Sequence, residues 1–531
     1  MLPVILAILF FMLFFYYLNI QSHDTPSFYA GSFELPTRYK KYVIRTKPKF
    51  RDYCFPAKYK LQQQQLFLSD YMAPANVSDR GIRELLVYHK IGAGKTCTAI
   101  QICERYKNPL IIAPASLLPG YYAEFRTGCG MGKYLPYTPI PPISSAEYKD
   151  FIIKSNALID NKYNIISYNR FVSHIPPLSD VVVVDEIQNV TNPSGKFYNK
   201  FINYIHKYPD TVIVLMSATP IINYPHERDS LLSMLRQPPD SNFIGRVSYY
   251  PGAPSITYPK LITKLVKCPM SQFQSSTYRS QVENELSKYG KLITHKIDNS
   301  FYIKSRQRSI ISFPNNVNNV DVLSPKQLCH NIAKYSAKYA FIGKKIQKNN
   351  RLTFIYIPFT GSFGIRSITK YLRAIGFKDY FQYGAGPHRY VVWSGNTTKS
   401  QKSIIATVFN DQSNDNGGQI QVVIGSPAMK EGVSLLRVNQ AFIAGIPWNH
   451  AMLSQIVGRV SRYCSHKRLK PADRIVKVYL LASVNKSERD KKSPKYSVDL
   501  YMLGLADKKM TEISPILADL RQNSIDRALW K

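Results

Sequence analysis

The segment Tyr88-His-Lys-Ile-Gly-Ala-Gly-Lys-Thr-Cys97 decides the reading of this chain. An apolar run, Leu85–Tyr88, leads into it and a helical stretch follows from Cys97, so it joins a buried strand to a helix. In that setting the backbone N–H groups of a glycine-rich loop point inward and, with the helix N-terminus, cradle phosphate oxygens. His89, Lys90, Ile91, Gly92, Ala93, Gly94, Lys95 and Thr96 are the expected ATP cradle. Lys95 is a point charge for the β- and γ-phosphates, and Thr96 a ligand for Mg²⁺. The consensus for such loops opens with glycine where His89 stands, but the cradle rests mainly on Gly92 and Gly94.

Three further segments supply complementary chemistry. Val181–Val184 reads as a buried strand ending in Asp185-Glu186, and a carboxylate at the C-terminal end of a parallel strand is well placed for ligands. Asp185 is expected to hold Mg²⁺ and Glu186 to orient and deprotonate an attacking water; the plainer alternative is a pair that caps the next helix. Ser217-Ala218-Thr219 follows the strand Val212–Met216, and with Gln188 it is the expected coupling element, small hydroxyls being able to exchange hydrogen-bond partners. Gln455-x-x-Gly458-Arg459-x-x-Arg462 reads as the start of a helix, with Arg459 and Arg462 on one face. Two such guanidiniums can neutralise charge developing on a γ-phosphate, and a solvated basic helix is the alternative.

The rest of the chain alternates short apolar runs with amphipathic stretches, as parallel strands joined by helices do. Leu110–Ala113 and Asn164–Ser167 complete the first set of strands. Thr353–Ile357, Tyr390–Trp393, Ile420–Ile424, Ala441–Ala444 and Ile475–Leu481 make a second. The expected organisation is an ATP-binding lobe over 53–240, an insertion or linker over 241–344, a second lobe over 345–500, and a C-terminal helix over 501–531 docking at the end of lobe two.

Composition narrows the partners. At 531 residues the chain exceeds one ordinary core, and 45% hydrophobic residues exclude global disorder. Seventy Lys+Arg against 34 Asp+Glu give a formal charge of +36, which points to a polyanion such as DNA or RNA. Seven dispersed cysteines without a C-x-x-C pair argue against a disulfide framework or a zinc site, and so for a reduced, cytosolic enzyme. Residues 1–18 are wholly apolar or aromatic, roughly 27 Å of helix at 1.5 Å per residue. The expectation is a transmembrane signal anchor over 1–20, a basic linker over 21–52 and a single-pass protein with a cytosolic body; a cleaved signal or a segment packed on protein are the alternatives.

Taken in order, these motifs resemble those of superfamily 2 helicases, with Asp-Glu-Ile-Gln in place of the commoner Asp-Glu-x-His. Finer stretches resemble the helicase-like NTPases of nucleocytoplasmic large DNA viruses, including the poxvirus nucleoside triphosphatase I and early transcription factor type. They are Leu61-Gln-Gln-Gln-Gln-Leu-Phe-Leu68, Ser217-Ala-Thr-Pro-Ile-Ile-Asn223, Lys430-Glu-Gly-Val-Ser-Leu435 and Gly458-Arg-Val-Ser-Arg-Tyr-Cys-Ser-His466. The resemblance spans about 55–530 and implies two tandem RecA-like lobes with ATP and Mg²⁺ between them. It further implies Gln65 or Gln62 as adenine reader, Gln455 in the ATP site, and Pro114, Ser116, Tyr168, Ser426, Glu431 and Gly432 toward nucleic acid. A role beside viral transcription machinery, in a virion or cytoplasmic viral factory, follows from the same resemblance. A non-unwinding structural factor that holds nucleic acid at a viral membrane is the alternative.

Overall fold

In this computed structural model the described residues are 28–29, 32–44, 50–56, 59–142, 145–289, 301–314, 317–429, 433–486, 493 and 495–530. The chain divides into two units, one of residues 1–254 with 512–531 and one of 255–511.

The first unit is built on six parallel strands: β1 (Glu84–His89), β2 (Pro109–Ala113), β3 (Asn164–Ser167), β4 (Val181–Asp185), β5 (Val212–Ser217) and β6 (Val247–Tyr250). Their order is β3-β2-β4-β5-β1-β6. The four consecutive valines of β4 fit a strand buried on both faces, where β-branched side chains pack well and no polar alternation is needed. Strand order does the functional work here. β5 lies between β4 and β1, with Asp185 opposite Met216 and Tyr88 opposite Ser217. The C-terminal ends of three strands, each carrying one motif, are thereby adjacent.

The second unit holds seven parallel strands: β7 (Lys260–Pro269), β8 (Thr353–Tyr356), β9 (Lys378–Asp379), β10 (Arg389–Trp393), β11 (Val422–Gly425), β12 (Gln440–Ile443) and β13 (Ile475–Val484). Their order is β9-β10-β11-β8-β12-β13-β7. Successive residues feed different cores. Phe354, Val423 and Ile443 pack on one face, and Ile355, Ile424 and Phe442 on the other, as period-two geometry requires. Helices flank the sheet with local caps; Ser324 and Thr398, for instance, each close a capping box with a glutamine three residues on.

Two expectations need correction. The apolar segment 1–18 lies outside the described residues, and among the described residues no helix is long and apolar enough to cross a membrane. The transmembrane element, the membrane partner and the single-pass localisation are therefore withdrawn: the described apolar runs are short and lie in sheets and their packed helices. Second, a disulfide joins Cys97, in the helix after the glycine-rich loop, to Cys129 in the turn Gly128–Gly130. Dispersed spacing gave no sign of it, because the fold brings together cysteines 32 positions apart.

The end of the chain also departs from expectation. Beyond the helix Val498–Gln522, Ile525 donates its N–H to Val247 of β6, and Leu529 accepts from Ile44. Residues 523–530 thus strap the first unit, with Ile525 and Leu529 in its core.

Candidate active site

β1 delivers the chain into the loop, and the helix Lys95–Cys103 carries it away. Gly92 and Gly94 adopt φ of 80° and 76°, a left-handed conformation that costs glycine nothing and other residues a Cβ clash. Gly94 has a second constraint: a Cβ there would lie 2.7 Å from Nε2 of Gln65. Gln65 is buried, donates to the Gly94 carbonyl at 3.3 Å and accepts the Gln62 N–H at 2.9 Å. Gln62 itself caps the helix Gln63–Tyr71. Of the two glutamines it is Gln65 that the fold sets against the loop. Lys95 donates from Nζ to the His89 carbonyl at 3.4 Å, and Ala93 is buried.

Asp185 is buried at the end of β4, and Tyr121 Oη donates to its Oδ2 at 2.9 Å. Burial raises the Asp185 pKa, the neighbouring Glu186 charge raises it further, and Lys95 and the Tyr121 hydrogen bond oppose both. Tyr121 stays protonated because burial, foremost, lifts its own pKa well above the ordinary value. Glu186 is a non-glycine residue at φ 53° and ψ 47°, a strained conformation of the kind that gathers at functional sites.

A continuous hydrogen-bond chain leads on from Glu186. Gln188 Nε2 donates to Glu186 Oε2 at 2.6 Å, Ser217 Oγ donates to Gln188 Oε1 at 2.6 Å, and Thr219 N–H donates to Ser217 Oγ at 2.8 Å. An amide can donate at one end and accept at the other, so Gln188 joins a carboxylate to a hydroxyl without either changing protonation. The Thr219 hydroxyl is buried with no hydrogen-bond partner among the described residues, and Ala218 is buried beside it.

The remaining expected residues sit as follows. Pro114 is buried and Ser116 exposed at the end of β2. Tyr168 turns its hydroxyl onto the backbone carbonyls of Asp185 and Glu186, the latter at 3.0 Å. Ser426 is buried after β11, its Oγ accepting the Ala428 N–H. Glu431 and Gly432 lie outside the described residues. The helix bearing Gln455 spans His450–Val457 and is capped by Gly458, so Arg459 falls in the turn that follows and Arg462 beyond it, rather than the two sharing a helical face. Arg459 donates to the carbonyls of Gln455 and Val433, and Arg462 to that of Gly458. Tyr121 was missed in the sequence, where nothing distinguishes it from the neighbouring Tyr122; 64 positions separate it from the carboxylate it touches.

A glycine-rich strand-to-helix loop beside a buried carboxylate, on one of two parallel-sheet units, fits an ATP-hydrolysing motor of the RecA-like, helicase type. Similarity to known proteins agrees. Residues 337–464 match the helicase conserved C-terminal domain. A protein of Acanthamoeba polyphaga mimivirus, described as an ATP-dependent RNA helicase, is 33% identical over 568 residues, covering 97% of this chain and 96% of that one. Nucleoside triphosphatase I of Choristoneura biennis entomopoxvirus is 24% identical, covering 87% and 79%. A helicase of Frog virus 3 is also 24% identical and covers 85% of this chain, which spans about half (52%) of that relative. The chain belongs to the superfamily 2 helicase-like NTPases of nucleocytoplasmic large DNA viruses. It is a nucleic-acid-dependent ATPase of helicase type, and it binds and hydrolyses ATP in viral nucleic-acid handling.

Proposed function

We propose that Lys95, Thr96, Asp185 and Glu186 carry out the hydrolysis, and that Gln188, Ser217 and Thr219 couple it to nucleic acid. The chain from Glu186 through Gln188 to Ser217 and Thr219 carries this reading: it ties the expected base to a strand-end hydroxyl through one amide. Glu186 takes a proton from the attacking water, and Gln188 holds that carboxylate in place. Lys95 leaves the His89 carbonyl for the β/γ-phosphate oxygens when nucleotide enters. Gln65 and Gln455 contact the nucleotide, while Arg459 and Arg462 offset the developing γ-phosphate charge. Ser116, exposed after β2, contacts nucleic acid directly, while Pro114, Tyr168 and Ser426 shape the segments that do so.

The residues fit Mg²⁺. Two adjacent carboxylates are offset mainly by Lys95 and a tyrosine hydroxyl, and a divalent cation is the charge that pair lacks. Among the described residues no group of three His, Cys, Asp or Glu could hold a metal, so Asp185 and Thr96 would hold it along with nucleotide and water oxygens. When bound, the ion supplies charge stabilisation at the phosphates.

RNA is the substrate class that the description of the mimivirus relative names, and RNA-dependent translocation is the corresponding proposal here. ATPase rates with no nucleic acid, single-stranded RNA, single-stranded DNA and duplexes test it. Stimulation by RNA and loss of activity in Lys95→Ala are expected. A rate that ignores every nucleic acid, or full activity in Lys95→Ala, overturns the motor reading.

A further inference from the structure

His89 stands where loops of this type open with glycine, and its imidazole is fully buried. Its Nε2 lies 2.8 Å from Ser248 Oγ, and that hydroxyl donates to Asp526 Oδ2 at 2.6 Å. The other carboxylate oxygen of Asp526 accepts the Tyr249 N–H at 3.0 Å. Ser248 and Asp526 are also fully buried. The serine has one proton, already committed to the carboxylate, so its Oγ accepts from His89 Nε2–H. Burial, and after it the Lys95 charge, lowers the His89 pKa to about 3, consistent with a neutral ring that donates once. The polar chain runs one way, from ring to hydroxyl to carboxylate.

A second, aromatic route joins the same two places. Trp530 stacks on Tyr250 at 5.4 Å between ring centroids, and Tyr250 meets the His89 ring edge-on at 5.7 Å. The Tyr250 carbonyl also accepts the Lys90 N–H at 3.0 Å. Both routes start in the strap 523–530, cross β6 and end on His89, whose carbonyl holds Lys95. A side chain needed only to fill space would not require three aligned polar groups; the one polar tie of the ring among the described residues is Nε2 to Ser248, Nδ1 being buried without a partner there.

We propose that Ser248 and Asp526 are positioning residues for ATP: through them the C-terminal strap holds His89, and with it the backbone that opens the phosphate loop. This rests on the phosphate-loop reading above. Removing a link leaves the catalytic groups intact but lets the loop mouth relax, which weakens nucleotide binding more than chemistry.

The test uses the full chain and steady-state ATPase kinetics with saturating nucleic acid. Variants are Ser248→Ala, Asp526→Asn, their combination, and Lys95→Ala as control, with thermal midpoints in parallel. Ser248→Ala and Asp526→Asn should each raise KM for ATP about fivefold, the ratio set by one hydrogen bond's net contribution, with kcat within about twofold. The double variant should be no worse than the weaker single one, since both cut one chain. A KM within about twofold of wild type in Ser248→Ala overturns the proposal, as does a kcat loss that tracks a falling thermal midpoint. If Lys95→Ala is inactive while Ser248→Ala behaves as wild type, only the relay fails. Full activity in Lys95→Ala removes the phosphate-loop reading itself.

Discussion

Gln188 occupies the place of the commoner histidine, and its geometry accounts for the exchange. A neutral imidazole could also donate to Glu186 and accept from Ser217, but its charge would change near pH 6.5, whereas an amide's does not. Gln188→Ala is expected to keep basal ATPase within about threefold and to lose most of the stimulation by nucleic acid, on the order of tenfold. Rates with and without oligonucleotide decide this, and retained stimulation counts against a coupling role. In the second unit, Lys338 is fully buried and donates to Asp499 at 2.8 Å and to the Ala444 carbonyl at 2.6 Å. Lys338→Met leaves a buried carboxylate without its cation, a loss of about 3–5 kcal/mol. Denaturant unfolding should show this, with Lys338→Met/Asp499→Leu recovering most of it. At this scale the glycine-rich turn between strand and helix and the carboxylates at the end of a buried strand were legible from residue type and spacing. Tyr121 and Lys338 were not, because their partners are distant in sequence and no local period marks a tyrosine or lysine that folds inward.

Among the elements, strands buried on both faces were the legible ones. Val181–Asp185 and Val212–Ser217 are continuous apolar runs. β7 was missed because it is a mostly exposed edge strand in which Lys260, Lys264 and Lys267 interrupt the apolar residues, so no continuous apolar run marks it. The arginine-bearing segment read as helical, and Gly458 ends the helix just before it. The Cys97–Cys129 disulfide ties the helix Lys95–Cys103 to a turn across a sequence separation of 32. Cys97→Ser is expected to lower stability by about 3 kcal/mol through loop-closure entropy. Peptide mapping without reductant should recover the linked pair, and a protein whose thermal midpoint ignores both reductant and Cys97→Ser would lack a stabilising bond there.

For the whole molecule, a formal charge of +36 suits a polyanionic partner, while buried ionisable groups set the response to pH. Burial, foremost, holds His466 down at about 4; the charges of Arg437 and Arg474 add to this and a bond to the Val438 carbonyl opposes it. Between about pH 6.5 and 4 the unfolded chain therefore binds a proton that the folded chain does not. His466 contributes stability at neutral pH that is lost as pH falls through this window, at most about 3 kcal/mol. Asp526, raised by burial to about 6, acts in the opposite sense: its contribution is present at low pH and lost as pH rises through 6. Comparing wild type with His466→Asn isolates the first term. The variant should lose less stability between pH 7 and 4, and parallel pH profiles would contradict this.

Local chemistry told where a glycine-rich turn joins strand to helix, which strands end in carboxylates and which segments alternate as strand and helix, because those properties depend on residues within a few positions of one another. The order of strands, the setting of Gln65 rather than Gln62 against the loop, the Gln188 bridge and the return of residues 523–530 to the first unit were decided only in three dimensions. Each depends on hydrogen bonds or packing between distant segments, and hydrophobic period says which face is buried but not what it is buried against.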